Sequence, residues 1–235
     1  MSNSFPTREI GTVYISGGSS GLGAAVVDAV QQAGGTPVVI DMVAPKAEGV
    51  PYAIADLSDS AEAEQAVADL AERVGPPDAV VTCAGTDACG PLDGIDTQTW
   101  ERVVRVNLFG TVALVRACLP HLKQNHGTVV TVSSTLGLKA VGDATAYCAS
   151  KFGVVGFTRA LATELAGQVG VTLLIPGGMS TAFFDGRTEQ YKPGPDAILN
   201  DPAHTAAAVL TVLRQPVGSE IRELVVATST EPSWP

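Results

Sequence analysis

The stretch Ser16-Gly17-Gly18-Ser19-Ser20-Gly21-Leu22-Gly23 follows a β-branched run, Thr12–Ile15, and leads directly into a helical pattern, Leu22–Ala33, that stops at Gly34-Gly35. A strand that turns through glycines into a helix is built to receive a phosphate. Glycine tolerates φ > 0 and lets the backbone approach closely, while the helix start directs free N–H groups at the anion. Gly17, Gly21 and Gly23 are the turn glycines. Ser19, Ser20 and Leu22 complete the expected cradle for the pyrophosphate of a dinucleotide.

Outward from that turn, strands and helices alternate. Pro37–Ile40 is the second strand and ends at Asp41. Tyr52–Ala55 is the third, followed by Asp56-Leu57, a Ser58 helix cap and a helix to about Val74. Asp78–Thr82, Thr128–Ser133, Val171–Ile175 and Ile221–Ala227 read as strands four to seven. Helices are expected over Thr97–Lys123, with Pro120 kinking or shortening its end, and over Thr145–Ala166 and Pro202–Arg214. The strands are continuously apolar, as in a sheet covered on both faces. Such alternation predicts an α/β, doubly wound, seven-stranded and mostly parallel sheet, a single Rossmann-type domain over residues 1–235. An irregular segment, Thr181–Asn200, carries Phe183, Phe184 and Tyr191 and reads as a substrate lid; the tail Thr230–Pro235 reads as extended.

Asp41, at the end of the second strand, can accept both hydroxyls of an adenine ribose and would repel a 2′-phosphate. No Arg or Lys lies in Gly17–Gly23, so NAD is expected over NADP. Asp56 can receive the adenine amino group or cap a helix, and Ala84-Gly85 lets a cofactor pass close to the backbone. Tyr147 and Lys151, four apart on a helix, share one face. A phenol of pKa near ~10 needs a neighbouring ammonium to work as an acid–base at neutral pH. Ser134, at a strand end, can hydrogen-bond the same substrate oxygen.

These motifs, in this order, resemble the short-chain dehydrogenase/reductase family over nearly the whole chain. The turn Ser16–Gly23 is similar to its TGxxxGxG, Asp56-Leu57 to its adenine pair, and Tyr147-Cys148-Ala149-Ser150-Lys151 to its YxASK, with Ser134 thirteen residues before the tyrosine. Asn107 falls at the family's helix asparagine, Pro176-Gly177 at the nicotinamide segment, and Thr181 at the carboxamide threonine, with Met179 between them. The resemblance implies an NAD-dependent hydride transfer between nicotinamide and a secondary alcohol or ketone. In it Tyr147 is the general acid/base, Lys151 lowers its pKa and binds the nicotinamide ribose, Ser134 holds the substrate oxygen, and Asn107 holds a water leading to Lys151.

The chain departs from the pattern at Thr82-Cys83, where the family has Asn-Asn, and at Ile175, where it has Asn. Gly177-Gly178 suggests a looser nicotinamide end. Asp87, Leu136, Leu138, Asp143, Phe183 and Phe184 are expected to line a pocket for a small apolar alcohol, ketone or diol. Alternatives are an NADP-dependent 3-oxoacyl-thioester reductase, an epimerase or dehydratase on the same scaffold, and a silent dinucleotide sensor.

Composition bounds the partners. Hydrophobic residues make up 46% of the chain and charged ones 16%, the balance of a packed domain. A net charge of −10 with no basic cluster argues against nucleic acid. Cys83, Cys89, Cys118 and Cys148 show no metal-ligand spacing with the histidines, so no metal is expected and reduced thiols are. MSNSFPTREI has no leader pattern and no long uncharged apolar run occurs, so a cytoplasmic protein with no membrane partner is expected. The helices Thr97–Lys123 and Thr145–Ala166, the second with Phe152, Val155 and Phe157, are the faces expected to build a homodimer or homotetramer.

Overall fold

The computed structural model describes residues 7–234; the first six residues of the N-terminal stretch and Pro235 of the tail lie outside it. Seven strands form one sheet: β1 (Thr12–Ser16), β2 (Thr36–Asp41), β3 (Tyr52–Ile54), β4 (Ala79–Thr82), β5 (Thr128–Val132), β6 (Gly170–Pro176) and β7 (Glu223–Val226). Their order is β3-β2-β1-β4-β5-β6-β7, and every neighbouring pair is parallel. The sheet is therefore the expected doubly wound one, wholly rather than mostly parallel. The order reverses between β1 and β4, and the crevice above their carboxyl ends is where such a sheet takes a ligand.

Helices cover both faces because the strands offer apolar side chains to both. On one face Tyr14, Val38, Ile40, Val80 and Val129 pack with α2 (Ser60–Val74) and α4 (Thr111–Asn125). On the other, Val13, Ile15, Val39, Val81 and Val130 pack with α1 (Gly21–Gln32) and α6 (Pro202–Leu213). At about 25 cal/mol per Å² of apolar surface, such burial is the main stabilising contribution.

Three local expectations are corrected. Helix α2 is capped by Asp59, whose carboxylate accepts the Ala61 N–H at 2.8 Å; Ser58 instead belongs to the turn closed by Asp56. Pro120 neither stops nor shortens its helix, which runs on to Asn125. Pro120 is exposed, so water can take over the carbonyl it leaves unpaired. The tail is not extended: it turns at Thr228–Glu231 and docks Ser233 on Thr135 at 2.6 Å.

Helix α3 (Thr97–Val104) passes into α4 through a π-helical segment, Arg105–Gly110. The continuous run Thr97–Asn125 has the length and composition of a membrane-crossing helix. Here Ala113, Leu114, Val115, Cys118 and Leu122 on it are buried in the sheet core. Helix α5 (Thr145–Glu164) packs beside it.

Candidate active site

The glycine turn has the geometry its composition predicts. Gly17 has φ +67°, and a Cβ there would lie 2.7 Å from the Ala84 Cα, so only glycine lets the turn press against the end of β4. A Cβ on Gly23 would collide with the Gly17 carbonyl oxygen. The Ser20 side chain makes no capping hydrogen bond, and no acid sits in the first turn of α1. The N–H groups of that turn are therefore left for an anion. Asp41 is aimed by the turn itself: its Oδ2 accepts the Ser19 N–H at 3.0 Å. Ser19 does not line the cavity; its hydroxyl donates to the Val43 carbonyl, so its part is to hold Asp41.

One cavity of about 660 Å³ runs from this turn across the sheet ends. It collects Gly17, Ser20, Gly21, Leu22, Gly23, Asp41, Asp56, Leu57, Ala84 and Gly85. Ser134, Tyr147 and Lys151 line it too, as do Pro176, Gly177, Met179 and Thr181 with Leu136, Phe183 and Phe184; Thr181 reaches the glycine turn, where a Cβ on Gly21 would lie 3.6 Å from its side chain. The cradle, the uncapped helix start and a cavity of this volume fit a dinucleotide.

Ser134 follows β5, and its hydroxyl accepts the Leu136 N–H at 3.1 Å. Tyr147 and Lys151 project from the first turns of α5, with Lys151 Nζ 5.7 Å from the Tyr147 ring centroid. Lys151 Nζ donates to the Val132 carbonyl at 3.0 Å. Burial pulls the lysine down to about 8, with Cys83 opposing. Burial also pushes the Tyr147 phenol up to about 12. The Ser134 hydroxyl and Arg187 draw it down, and Asp87 and Cys148 add to the rise. In the site as it stands, desolvation therefore outweighs the stabilisation of a phenolate by the nearby ammonium that the spacing predicts.

Asn107 does not line the cavity. It sits in the π segment, fully buried, accepting the Thr86 N–H at 2.8 Å and donating to the Thr86 carbonyl and Ser150. A Cβ at Gly85 would lie 3.5 Å from Asn107 Oδ1 and 3.6 Å from Lys151 Nζ, so the two side chains meet across Gly85. Its side-chain amide is thus engaged by Thr86 and Ser150 and supports the loop after β4.

Other expected pocket residues separate. Leu138 packs with Val154, Val155, Leu173 and Ile175, away from the cavity. Asp143 accepts a 2.9 Å hydrogen bond from the Tyr191 hydroxyl and so ties down the lid without lining it. Asp87 faces a second cavity of about 420 Å³ that adjoins the first. Asp56 is not a free acceptor: Arg102 engages its carboxylate at 3.1 Å and donates to Ser58 at 3.0 Å. Burial raises the Asp56 carboxyl, but Ser58 and Arg102 together hold it below its ordinary value.

Sequence reasoning missed Arg102, Arg187 and Glu231. Glu231 lines the cavity from the docked tail and accepts the Gly178 N–H at 2.8 Å, which pins the glycine pair expected to be loose. The departure at Thr82 also has a visible result. Its hydroxyl is buried without a partner, and the link between β1 and β4 runs from the Ala84 N–H to Ser16 Oγ at 3.2 Å. Among the described residues no three His, Cys, Asp or Glu side chains cluster as metal ligands.

A parallel sheet with its crevice at the strand reversal, a glycine turn and a Ser-Tyr-Lys group in one cavity define a dinucleotide-binding α/β oxidoreductase. The chain belongs to the short-chain dehydrogenases, whose family matches residues 11–192. It is 30% identical to a D-beta-hydroxybutyrate dehydrogenase of Cupriavidus necator, over 94% of this chain and 91% of that one. It is also 30% identical to a D-threitol dehydrogenase of Mycolicibacterium smegmatis, over 72% and 70% of the two chains. An alcohol dehydrogenase structure from Thermococcus sibiricus, complexed with 5-hydroxy-NADP, has the same fold: TM-score 0.79 at 24% identity, covering 92% of this chain and 95% of that one.

Proposed function

We propose that this chain is a one-domain NAD(H)-dependent dehydrogenase that interconverts a secondary alcohol and its ketone, cytoplasmic and assembled as a homodimer or homotetramer. The observation that carries the reading is the continuity of one cavity from the glycine turn and Asp41 to Ser134, Tyr147 and Lys151. NAD(H), when bound, supplies the nicotinamide that gives or takes the hydride. The α1 start and glycine turn would hold its pyrophosphate, Asp41 its adenine ribose, and Lys151, Met179 and Thr181 its nicotinamide half.

In the direction of reduction, Ser134 hydrogen-bonds the substrate carbonyl oxygen and Tyr147 delivers the phenol proton to it as charge develops there. In oxidation, Tyr147 takes that proton back. A phenol that burial pushes up to about 12 carries its proton at neutral pH but is a weak acid, so donation depends on support for the phenolate. The ammonium of Lys151 favours the phenolate left behind, by an amount that grows as bound ligand excludes water. Phe183, 5.8 Å from the Tyr147 ring, shields the reacting centre.

Asp41 supports NAD(H) over NADP(H), since its carboxylate would face a 2′-phosphate. Arg102, the cation at the adenine end of the cavity, is occupied by Asp56 and Ser58. The test is a fluorescence titration with NADH and NADPH in one buffer, followed by alcohol oxidation. NADH is expected to bind more tightly by roughly tenfold or more, a difference of about 1.4 kcal/mol. Tyr147→Phe is expected to keep NADH binding while losing at least about a hundredfold in kcat. Tighter NADPH binding overturns the cofactor assignment, and a near-wild-type rate in Tyr147→Phe overturns the acid–base one.

A further inference from the structure

The second cavity opens beside the catalytic one and is lined by Thr86, Asp87, Cys89, Phe183, Arg187 and Thr188. Phe183 and Arg187 face both cavities. Phe183 lies between the Tyr147 ring, 5.8 Å away, and the Arg187 guanidinium, 5.3 Å away. The second cavity thus shares Phe183, the ring packed on Tyr147, with the catalytic one.

Its polar wall is an ion pair. Arg187 Nη2 stands 2.5 Å from Asp87 Oδ2, and the two side chains are only 18% and 5% exposed. Asp87 also accepts the Ala88 N–H at 2.7 Å and the Cys89 thiol at 3.2 Å. Arg187 donates to the Tyr191 carbonyl at 3.1 Å and stacks on Phe184 at 4.6 Å. A guanidinium has five N–H hydrogens. These contacts leave terminal ones beside the cavity, and Nε has no hydrogen-bond partner.

Charge decides what such a wall can receive. Asp87 already neutralises Arg187, and Asp143 stands close behind on Tyr191. A carboxylate ligand would bring a further anion to a half-dry site that has no spare cation, which is costly. A bare alkyl group would leave the ion pair's remaining donors and acceptors unmet. A hydroxyl fits both constraints, because one neutral oxygen can donate to the aspartate and accept from the arginine.

We propose that Asp87 and Arg187 read a second hydroxyl of the substrate, so that the enzyme acts on diols, polyols or hydroxyketones in preference to simple alcohols and hydroxy acids. This rests on the dehydrogenase reading above. Asp87 and Arg187 are specificity-determining residues in it and take no part in hydride or proton transfer.

The test uses four-carbon secondary alcohols that differ in their second polar group: 2-butanol, 1,3- and 2,3-butanediol, and 3-hydroxybutyrate. In the wild-type enzyme kcat/KM for a diol is expected to exceed that for 2-butanol by roughly tenfold or more, with 3-hydroxybutyrate below both. Asp87→Asn leaves the Arg187 charge uncompensated. Relative to 2-butanol, the diol is then expected to lose roughly tenfold and 3-hydroxybutyrate to gain by a similar factor. Arg187→Met is expected to lose the diol preference with no gain for the acid, and it stands in should Asp87→Asn fail to fold. Wild-type preference for 3-hydroxybutyrate or 2-butanol, or unchanged ratios in a folded variant, overturns the subsite alone. Absence of turnover on every alcohol by wild-type enzyme that binds NADH overturns the dehydrogenase reading and the subsite with it.

Discussion

At Thr82 the fold buries a hydroxyl that no neighbour accepts, on a strand where every other side chain is apolar. An unmet buried hydroxyl costs about 1–3 kcal/mol, and valine has nearly its shape. Thr82→Val is therefore expected to raise Tm by roughly 2–4 °C, given about 1 kcal/mol regained in a chain of this size. Calorimetry reads it, and an unchanged or lower Tm means that the hydroxyl has a partner such as ordered water. Lys151 makes a prediction of opposite kind. Its ammonium is held down at about 8 by burial, against 10.5 in the unfolded chain. Between those values the unfolded state binds the extra proton, so this group's contribution to stability rises with pH across that window and is least favourable below it. Lys151→Met removes the dependence along with the constant hydrogen bond to Val132. The Tm of the variant relative to wild type, without cofactor, should therefore fall from pH 7 to pH 9.5. A flat difference sinks the assignment of a depressed lysine. Tyr147, Lys151, Ser134 and the turn glycines were legible because each belongs to a short local pattern. Arg102 was not, since its partner Asp56 lies forty-six residues earlier and only the packing of α3 beside the end of β3 joins them.

At the scale of elements, strand runs and helix faces could be read from hydrophobic pattern, and a parallel, doubly wound sheet followed from alternation, whereas the strand order came from the structure. What pattern could not show was how irregular pieces are tied. The side-chain ties of the lid Thr181–Asn200 include Arg187 on Asp87 and Tyr191 on Asp143. Asp143 takes a positive φ of 57°, a position that aspartate tolerates and that is invisible to periodicity. Removing one tie should loosen the lid without unfolding the sheet. Tyr191→Phe deletes one hydrogen bond worth about 1 kcal/mol, so cleavage by trypsin after Arg187 should speed up roughly fivefold through easier local opening. An unchanged rate in limited proteolysis would mean that the Asp143 contact does not hold the lid. Pro120, expected to kink or shorten its helix, does not shorten it: a missing N–H ends a helix only where the freed carbonyl has no alternative, and Pro120 faces water.

For the whole molecule the prediction concerns association. The chain buries its apolar sheet faces within itself, yet Phe109 and Phe152 remain 49% and 44% exposed. They flank one packed point: a Cβ on Gly153 would lie 2.8 Å from Leu108, so the π segment and α5 are held together there, each with a phenylalanine next in sequence. Val155 and Phe157, expected on the same surface, turn inward instead, Val155 buried and Phe157 packed on the sheet core. The exposed aromatic patch is thus narrower than helical composition suggested, and it joins the π segment to α5. Two aromatic side chains brought together from each of two copies would give the buried aromatic centre that a stable interface uses. Light scattering behind a sizing column at micromolar concentration is expected to give a dimer or tetramer. Phe109→Asp with Phe152→Asp should shift it to the monomer while leaving NADH affinity within about twofold, since neither side chain reaches the cavity. A wild-type monomer would mean that these rings are simply exposed; an oligomer that survives both substitutions would place its interface elsewhere on the molecule.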